Sequence, residues 1–356
     1  MLREFKIDNV VVNDESNCYV IAEVGNNHQG DLEKAKQIIR AAHECGVNAV
    51  KLQTRHNRSL YTKTMYDQSY DNPNSFADTY GVHRDCLELK REDYIALIQF
   101  AKNLKITLFS TPFDFKSADL LEELDMPAYK IASGDLASIP LIKYVASFKK
   151  PMIISTGGAA LEDVRRAYEV IMPINSQLCI MQCTASYPCE FSDLNLRVIE
   201  TYRQAFPDVV IGLSAHDSGI AMGPVAYLLG ARVIEKHFTL NRAWKGTDHA
   251  FSLEPSGMKK IVRDLQRTRI ALGNGIKAPL ECEKNPIRKM AKKLVAARNL
   301  AAGHVLTAAD IAIKSPGDGM KAYEFEKLVG KKLSRSLIED EDFNWKDLVN
   351  VESVAL

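Results

Sequence analysis

The sequence predicts an α/β protein, a (β/α)8 TIM barrel followed by a small β-rich domain. Up to residue 272, short apolar runs alternate with segments of helical period, and eight of these runs end in polar or charged residues. Beyond a linker at 273–289 the alternation stops, and residues 290–356 contain short strand-like runs and turns. Eight strands that are each followed by a helix are typical of an α/β barrel, which takes about 250 residues. We therefore expect a barrel at 1–272 and a second domain at 290–356.

The barrel strands are predicted from apolar runs of strand length. Between them lie amphipathic stretches such as "DLEKAKQIIRAAHECG", in which Asp31 is placed to cap the start of a helix and Gly46 its end. Segment 55–90 interrupts the repeat; it is polar and rich in aromatic residues, so we interpret it as an active-site loop. The predicted strands are residues 18–25, 49–54, 107–112, 128–133, 151–156, 178–185, 209–216 and 232–240.

The composition is typical of a soluble globular protein with a large core. Of the 356 residues, 46% are hydrophobic and 26% are charged, and the formal net charge is +1. This balance gives no reason to expect nucleic acid or a membrane as a partner. The start of the sequence, "MLREFKIDNVVV", lacks the apolar region of a signal peptide. The seven cysteines contain no CxxC pair and are interpreted as reduced thiols, so we expect a cytoplasmic protein.

Polar side chains recur at the carboxyl ends of all eight predicted strands. In an α/β barrel these ends form the active site. A lone polar residue there usually satisfies backbone groups, but a polar residue at every strand end indicates a functional site. The strand-end residues are Glu23; Lys51 and Gln53; Ser110 and Thr111; Lys130 and Ser133; Ser155 and Thr156; Gln182 and Thr184; Ser214 and His216; and Glu235 and His237.

The residue types indicate what such a site would bind. His216 and His237 follow neighbouring strands, so their imidazoles can converge on one divalent metal ion and leave positions open for substrate. Direct hydrogen bonding of both imidazoles to substrate is the alternative. Glu235 shares a strand face with His237, whereas Lys236 points to the other face; Glu235 and Glu23 are candidate general acids or bases. The cations and hydroxyls suited to phosphate and carboxylate groups are Lys51, Lys130, Ser133, Ser155 and Ser214.

Nearly the whole chain resembles the sialic acid synthase family, the nonulosonate synthases that condense phosphoenolpyruvate with an amino sugar. The motifs that carry the resemblance follow the eight strands in order, and the tail is similar to the family's antifreeze-like (SAF) domain through "AGHVLTAADI" and "PGDG". The strand motifs are "IAEVGNNHQGD", "KLQT", "STPF", "YKIASGD", "STGG", "CTASYP", "GLSAHDSG" and "IEKHFTL".

The resemblance implies roles for individual residues. Glu23 and Glu235 match the catalytic acids, with no choice between them as the group that activates water. Asp135, a further candidate catalytic residue, matches a position near the sugar. His216 and His237 match the ligands of a divalent metal, Mn²⁺ or Mg²⁺. The other positions near the sugar are matched by Gln53 and Tyr187, and those that hold phosphoenolpyruvate by Lys51, Thr111, Lys130, Ser133, Ser155 and Ser214.

The resemblance also bears on the sugar and on assembly. "TYGVHRDCLEL", "LNLRVIETYRQAFPD" and "WKGTDHAFSLEP" are similar to the animal-type N-acylneuraminate-9-phosphate synthases, which use a 6-phosphorylated mannosamine. Ser315 stands where many bacterial members have the arginine that contacts the N-acetyl group. We therefore expect the 6-phosphate, for which loop cations such as Arg58, Lys63, Arg84, Arg242 and Lys245 are candidates. The family implies a domain-swapped homodimer whose SAF domain caps the partner's barrel.

Three alternatives remain at the level of sequence. A synthase that uses a free sugar would produce N-acetylneuraminate, legionaminate or pseudaminate. A 3-deoxy-heptulosonate-type synthase would share the phosphoenolpyruvate site without needing a SAF domain. A non-catalytic sugar-binding protein would be expected to lack Lys51, Glu235 or one of the two histidines, and all of them are present.

Overall fold

The structure, a computed structural model, describes residues 3–350. It divides between Gly273 and Asn274 into two compact units. The first unit is a closed barrel of eight parallel strands in which each strand pairs with the next along the chain and the last pairs with the first. The (β/α)8 prediction is therefore confirmed.

The strands of the first unit begin with a short antiparallel hairpin and continue with the eight barrel strands. They are β1 (Glu4–Ile7), β2 (Val10–Asn13), β3 (Tyr19–Gly25), β4 (Ala49–Thr54), β5 (Thr107–Pro112), β6 (Tyr129–Ile131), β7 (Met152–Ser155), β8 (Leu178–Cys183), β9 (Val210–Ala215) and β10 (Val233–His237).

Helices connect the barrel strands, and three short ones lie in the interrupting segment 55–90. Asp31 accepts a hydrogen bond from the backbone N–H of Lys34 and so caps the first helix, as the sequence predicts. The helices of this unit are α1 (Leu32–Glu44), α2 (Asn57–Leu60), α3 (Lys63–Tyr66), α4 (Tyr80–Asp85), α5 (Arg91–Leu104), α6 (Phe115–Glu123), α7 (Ile139–Ser147), α8 (Leu161–Ile171), α9 (Val198–Ala205), α10 (Met222–Leu228) and α11 (Pro255–Leu272).

The β1–β2 hairpin packs at the amino ends of the barrel strands. Its Phe5, Ile7 and Val12 are buried in one apolar cluster with residues that begin strands, among them Tyr19 and Val233. The hairpin therefore closes the base of the barrel with apolar side chains. It is an element that the predicted strands did not include.

The second unit contains two small antiparallel sheets and two helices. Its apolar core includes Leu294, Leu306 and Leu333. Segment 273–289, which we predicted to be a linker, contains most of one helix, α12, in the structure. The elements are α12 (Lys284–Met290), β11 (Lys293–Ala296), β12 (Ile311–Lys314), α13 (Phe325–Leu328), β13 (Lys332–Leu333) and β14 (Leu348–Val349). Across the described residues, no helix combines the length and the apolar character that a membrane crossing requires.

Candidate active site

The polar residues at the strand ends surround one cavity at the carboxyl end of the barrel. Every residue that the family resemblance places in the catalytic, substrate-binding or metal-binding set lines it except Asp135. The strand-end residues Ser110, Thr156, Gln182 and Thr184 and the five loop cations are not among the lining residues. Three further residues, Phe113, Ala132 and Cys183, complete the wall. The lining residues are Glu23, Lys51, Gln53, Thr111, Phe113, Lys130, Ala132, Ser133, Ser155, Cys183, Tyr187, Ser214, His216, Glu235 and His237.

Asp135 lies outside this lining. It ends the 3-10 turn Ser133–Asp135 that follows β6, where burial raises the pKa of its carboxyl to about 6. Its Oδ2 is buried and has no hydrogen-bond partner among the described residues. The turn therefore presents Ser133 to the cavity, whereas Asp135, with its buried Oδ2, does not line it.

Strand alternation explains why neighbouring residues face different surroundings. Glu235 and His237 line the cavity, whereas Lys236 between them faces outward. The Lys236 Nζ donates hydrogen bonds to the backbone oxygen of Asp217 at 2.6 Å and to its Oδ1 at 3.0 Å. This buried pair ties the residue after His216 to the residue before His237, so it fixes the spacing of the two histidine-bearing strand ends.

Two lysine–glutamate pairs occupy the centre of the cavity. Lys51 Nζ lies 2.7 Å from Glu23 Oε2 and donates to Thr111 Oγ1 at 3.0 Å. Lys130 Nζ contacts both Glu235 oxygens, at 2.8 and 2.9 Å, and Lys51 lies 3.7 Å from Glu235. All four charged side chains are at most 5% exposed. Because burial of charge is costly unless it is compensated, these pairs form a preorganised ionic network.

The two glutamates differ in their electrostatic surroundings. Burial raises the pKa of Glu23 to about 7, against the opposing effect of Lys51. Burial also disfavours the charged form of Glu235, but Lys130 and Lys51 outweigh it and hold the pKa of Glu235 below its usual range. The pKa values of the two carboxyls are therefore shifted in opposite directions, so Glu23 takes up a proton more readily than Glu235.

Gln53 is oriented by a chain of hydrogen bonds that the sequence did not reveal. Its Nε2 donates to Glu23 Oε1 at 2.8 Å, while its Oε1 accepts from Arg55 Nη2 at 2.6 Å. Arg55 also donates to Asn26 Oδ1 at 2.9 Å, and its guanidinium lies 3.8 Å from the centre of the Phe113 ring. Arg55 thus fixes which end of the Gln53 amide faces Glu23.

The two predicted metal-binding histidines lie side by side, with ring centres 5.4 Å apart. His216 Nδ1 donates to the Thr184 backbone oxygen at 2.8 Å, which leaves its Nε2 available. His237 Nδ1 has no hydrogen-bond partner among the described residues and lies 3.7 Å from Asp248 Oδ2. Burial lowers the pKa of both imidazoles, to about 4 for His216, so both are neutral at physiological pH.

This donor set fits an open metal site rather than a closed one. Over residues 3–350 there is no group of three or more His, Cys, Asp or Glu side chains arranged to hold a metal ion. Two neutral imidazoles would leave the remaining positions to water or substrate, as Lewis-acid chemistry requires. The buried, unpartnered His237 Nδ1 is the observation that supports this fit.

Comparisons with known proteins identify the family of the chain. Residues 38–277 match the NeuB family, and residues 293–349 match the SAF domain. The chain is 36% identical over 334 residues to N-acetylneuraminate-9-phosphate synthase of Homo sapiens, covering 94% of this chain and 93% of that protein. It is 35% identical over 338 residues to N,N'-diacetyllegionaminic acid synthase of Legionella pneumophila, covering 93% and 94% of the two chains.

A solved structure shows the same architecture. The N-acetylneuraminic acid synthetase of Leptospira borgpetersenii, in complex with citrate, matches with a TM-score of 0.71 and 28% identity, over 81% of this chain and 96% of that chain. Family, fold and strand-end residues therefore lead to one conclusion: this chain belongs to the NeuB family of sialic acid synthases and carries a carboxy-terminal SAF domain.

Proposed function

We propose that this chain condenses phosphoenolpyruvate with the open-chain form of a 6-phosphorylated mannosamine-type sugar. The product is an N-acylneuraminate 9-phosphate or its deaminated analogue. The observation that carries this proposal is the convergence of two buried lysines, four hydroxyls and two glutamates on one cavity beside two neutral imidazoles. Such a set suits a substrate that is both a phosphate ester and a carboxylate.

The phosphoenolpyruvate is held by Lys51, Lys130 and the surrounding hydroxyls. The Ser155 Oγ is buried and unpartnered among the described residues, so it is free to donate to an anionic oxygen. Ser133 is oriented by the Gly157 backbone N–H, which donates to its Oγ at 2.9 Å. The remaining hydroxyls are Thr111 and Ser214.

His216 and His237 would hold a divalent cation, Mn²⁺ or Mg²⁺. When bound, that cation supplies Lewis-acid polarisation of the sugar's aldehyde oxygen. The ring of Tyr187 lies against the histidines, with its centre 4.2 Å from that of His216 and 6.2 Å from that of His237.

The reaction forms a C–C bond and breaks a C–O bond. C3 of phosphoenolpyruvate attacks the aldehyde carbon, and the positive charge that develops at C2 is stabilised by the buried carboxylate of Glu235 or Glu23. Water adds to C2 and gives its proton to one of these glutamates. The aldehyde oxygen, left as an alkoxide by C–C bond formation, takes up the proton that the glutamate accepted. The tetrahedral intermediate then loses the proton of its C2 hydroxyl to the departing phosphate as the C2–O bond to that phosphate breaks, which leaves the C2 ketone of the product and inorganic phosphate.

The phosphate on the sugar distinguishes this proposal from its runner-up, a synthase that uses a free sugar. The human relative is named a 9-phosphate synthase and the Legionella relative is named for a legionaminic acid. Ser315 stands where, by resemblance, many bacterial members have the arginine that contacts the N-acetyl group of the sugar. A serine hydroxyl lacks the charge and the paired donors of that arginine, so affinity for the sugar must come from another group, and a 6-phosphate would supply it. A phosphate-release assay across free and 6-phosphorylated mannose and N-acetylmannosamine tests this choice. We expect kcat/KM at least about 10-fold higher for a phosphorylated sugar, about 1.4 kcal/mol of transition-state binding; equal or faster turnover of free N-acetylmannosamine would favour the runner-up.

We also propose that the active form is a homodimer in which each SAF domain, through residues around 314–320, approaches the partner's barrel. Large apolar side chains are exposed along the segment that precedes the SAF domain, with Ile276 at 73%, Met290 at 63% and Leu280 at 60% exposure. A second copy would cover them, since exposed apolar side chains clustered in one segment are typical of interaction surfaces. Light scattering of the active protein tests this proposal, and a fully active monomer would contradict it.

A further inference from the structure

Arg55 directly follows β4, and its side chain is almost fully enclosed, at 6% exposure. It is not among the residues that line the active-site cavity, although Gln53, two residues earlier, is one of them. A guanidinium withdrawn from water is costly unless acceptors compensate its charge. Because Arg55 does not reach the cavity, any part that it has in the reaction must act through another residue.

Contacts from four residues hold the guanidinium in one place. Its Nη1 donates to Asn26 Oδ1 at 2.9 Å, and its Nη2 donates to Gln53 Oε1 at 2.6 Å. Its central carbon lies 3.8 Å from the centre of the Phe113 ring. Glu88 balances the charge: its Oε1 lies 3.7 Å from Nη1, and its Oε2 accepts a hydrogen bond from the Arg55 backbone N–H at 3.0 Å. The guanidinium is therefore fixed by contacts within the protein alone.

A fixed arginine decides the orientation of the Gln53 amide. The oxygen and nitrogen ends of a glutamine amide have nearly the same shape, so hydrogen-bond partners distinguish its two orientations. An arginine has donors and no acceptor, so Gln53 must turn its Oε1 toward Arg55. The Gln53 Nε2 then faces Glu23 and donates to its Oε1 at 2.8 Å. The opposite orientation would bring the amide oxygen against the ionised carboxylate and leave two acceptors without a hydrogen between them.

The contact between Gln53 and Glu23 is tightly enclosed. Gly25, with a φ of +53°, lies where the register between β3 and β4 shifts. A β-carbon added to Gly25 would lie 3.3 Å from both Gln53 Nε2 and Glu23 Oε1, closer than an ordinary van der Waals contact. The other carboxylate oxygen, Oε2, lies 2.7 Å from Lys51 Nζ. Because the backbone leaves no spare room here, a change in the Gln53 amide is passed on to the Glu23 carboxylate.

We infer that Arg55 is a positioning residue of the active site: it holds the Gln53 amide in the orientation that fixes the Glu23 carboxylate in the cavity. This inference rests on the proposed function, in which Glu23 is one of the two glutamates that act on C2 of phosphoenolpyruvate and on the attacking water. Arg55 touches neither substrate and contributes to turnover through Gln53. A carboxylate that is held in place before substrate binds need not reorient during the reaction.

The test is a double-mutant cycle between Arg55→Met and Gln53→Met, which measures whether the two side chains act as one unit. Turnover is followed as phosphate release from phosphoenolpyruvate, with whichever of free and 6-phosphorylated mannose and N-acetylmannosamine the unmodified protein uses best. Arg55→Met should lower kcat about 10- to 100-fold, because misplacement of a catalytic group has an effect of this size. It should leave KM for phosphoenolpyruvate within about 3-fold, since Arg55 is not among the lining residues of the cavity. The double variant should be no slower than Gln53→Met alone.

Two further variants separate positioning from support of the fold. Arg55→Lys should recover part of kcat, because it keeps a cationic donor for Gln53 but loses the planar fork that also reaches Asn26. Arg40→Met is the matched control, at an exposed arginine of α1 whose guanidinium also lies over an aromatic ring, 5.2 Å from the centre of Phe100. It should change neither kcat nor KM. Thermal unfolding gives the stability of every variant, and Arg55→Lys replaces Arg55→Met in the cycle if the latter does not fold.

The outcomes distinguish this inference from the proposed function. With an active unmodified protein, a double variant whose loss equals the product of the two single losses would show that Arg55 acts independently of Gln53, and would overturn the inference alone. The same holds for an Arg55→Met kcat within about 3-fold of the unmodified value, or for a loss that follows only the fraction of unfolded protein. An unmodified protein that releases no phosphate from phosphoenolpyruvate with any of the four sugars would overturn the proposed function, and this inference with it.

Discussion

The same eight strands bury apolar side chains at one end of the barrel and charges at the other. At the base, Phe5 and Ile7 of the hairpin share an apolar cluster with Tyr19 and Phe109. At the mouth, Lys51 and the other three members of the ionic network are equally buried. Apolar burial stabilises the fold by about 25 cal/mol per Å², whereas buried ion pairs contribute little net stability. The comparison indicates that the base stabilises the barrel and that the mouth uses part of this stability to hold reactive groups in place.

The largest expected effect is at the mouth of the barrel, and it tests whether the buried groups there serve activity rather than stability. We expect His237→Ala to lower kcat/KM about 10⁴-fold, because the site would lose one of its two imidazole donors and with it most Lewis-acid stabilisation. The free energy of unfolding should change little, since His237 faces the cavity. Steady-state kinetics measures the loss of activity, and calorimetric titration with Mn²⁺ measures the loss of metal binding. His56→Ala, at an exposed histidine, is the control.

Removal of the metal provides an independent check on the same site. EDTA should abolish activity, and added Mn²⁺ or Mg²⁺ should restore it. Full activity in a rigorously metal-free preparation would show that the two imidazoles bind substrate directly, which is the alternative that the sequence left open.

The second expected effect is at the base and concerns stability. Phe5 is fully buried, so Phe5→Ala should lower the free energy of unfolding by about 3 kcal/mol through lost burial and a residual cavity. Activity per folded molecule should be unchanged, because the hairpin lies at the opposite end from the cavity. Chemical denaturation and kinetics at low temperature measure the two quantities. Val10→Ala, at a position of the same hairpin that is 40% exposed, is the matched control. A variant with unchanged stability but reduced kcat would refute the proposed division of roles.

Sequence reasoning predicted the mouth better than the base for a physical reason. Side chains alternate between the two faces of a strand, and parallel strands all run in the same direction. These two rules place residues such as Lys51, Lys130 and His216 at one end of the barrel, and applying them requires no knowledge of the packing. The hairpin did leave a signal in "FKIDNVVV", where an Asp-Asn pair separates two apolar-rich runs, but barrel periodicity does not require it.

Other features depend on tertiary contacts and could not be predicted. Ser133 lines the cavity, whereas Asp135, two residues later in the same 3-10 turn, does not. Nothing in the sequence separates half-buried Arg84 from exposed Arg58, because the difference lies in what the folded loop packs around each guanidinium. The hydrogen bonds from Arg55 to Gln53 and from Gln53 to Glu23 join two neighbouring strands. They likewise could not be predicted, because they depend on the side-chain rotamers.

The smallest expected effect concerns Asp310, a buried carboxylate of the second unit. The side chain of Asp310 is 0% exposed and accepts hydrogen bonds from Arg298, His304 and Thr307, at distances from 2.7 to 3.0 Å. Burial opposes its ionisation, but these donors prevail and hold the pKa of Asp310 well below its usual range. A carboxylate with this many donors within its own unit is a structural group, in contrast to Glu23 at the mouth, whose pKa is raised.

Asp310→Asn should therefore cost about 1–2 kcal/mol of stability at neutral pH, because charge-assisted hydrogen bonds become neutral ones. A depressed folded-state pKa gives stability that is present above the unfolded value of about 3.9 and is lost as pH falls toward the folded value. The difference between the unmodified protein and Asp310→Asn should accordingly be largest near pH 7 and shrink below about pH 4. Hydrogen exchange of amides in the second unit across this pH range measures it. Asp318→Asn, at a partly exposed acid paired with Arg288 and Lys293, should show little change, since such surface pairs are weak. If the stability difference between the unmodified protein and Asp310→Asn stayed constant down to about pH 2, packing rather than the charge of Asp310 would be the source of its contribution. The contrast between Asp310 and the glutamates at the mouth would then not lie in how their charges are compensated.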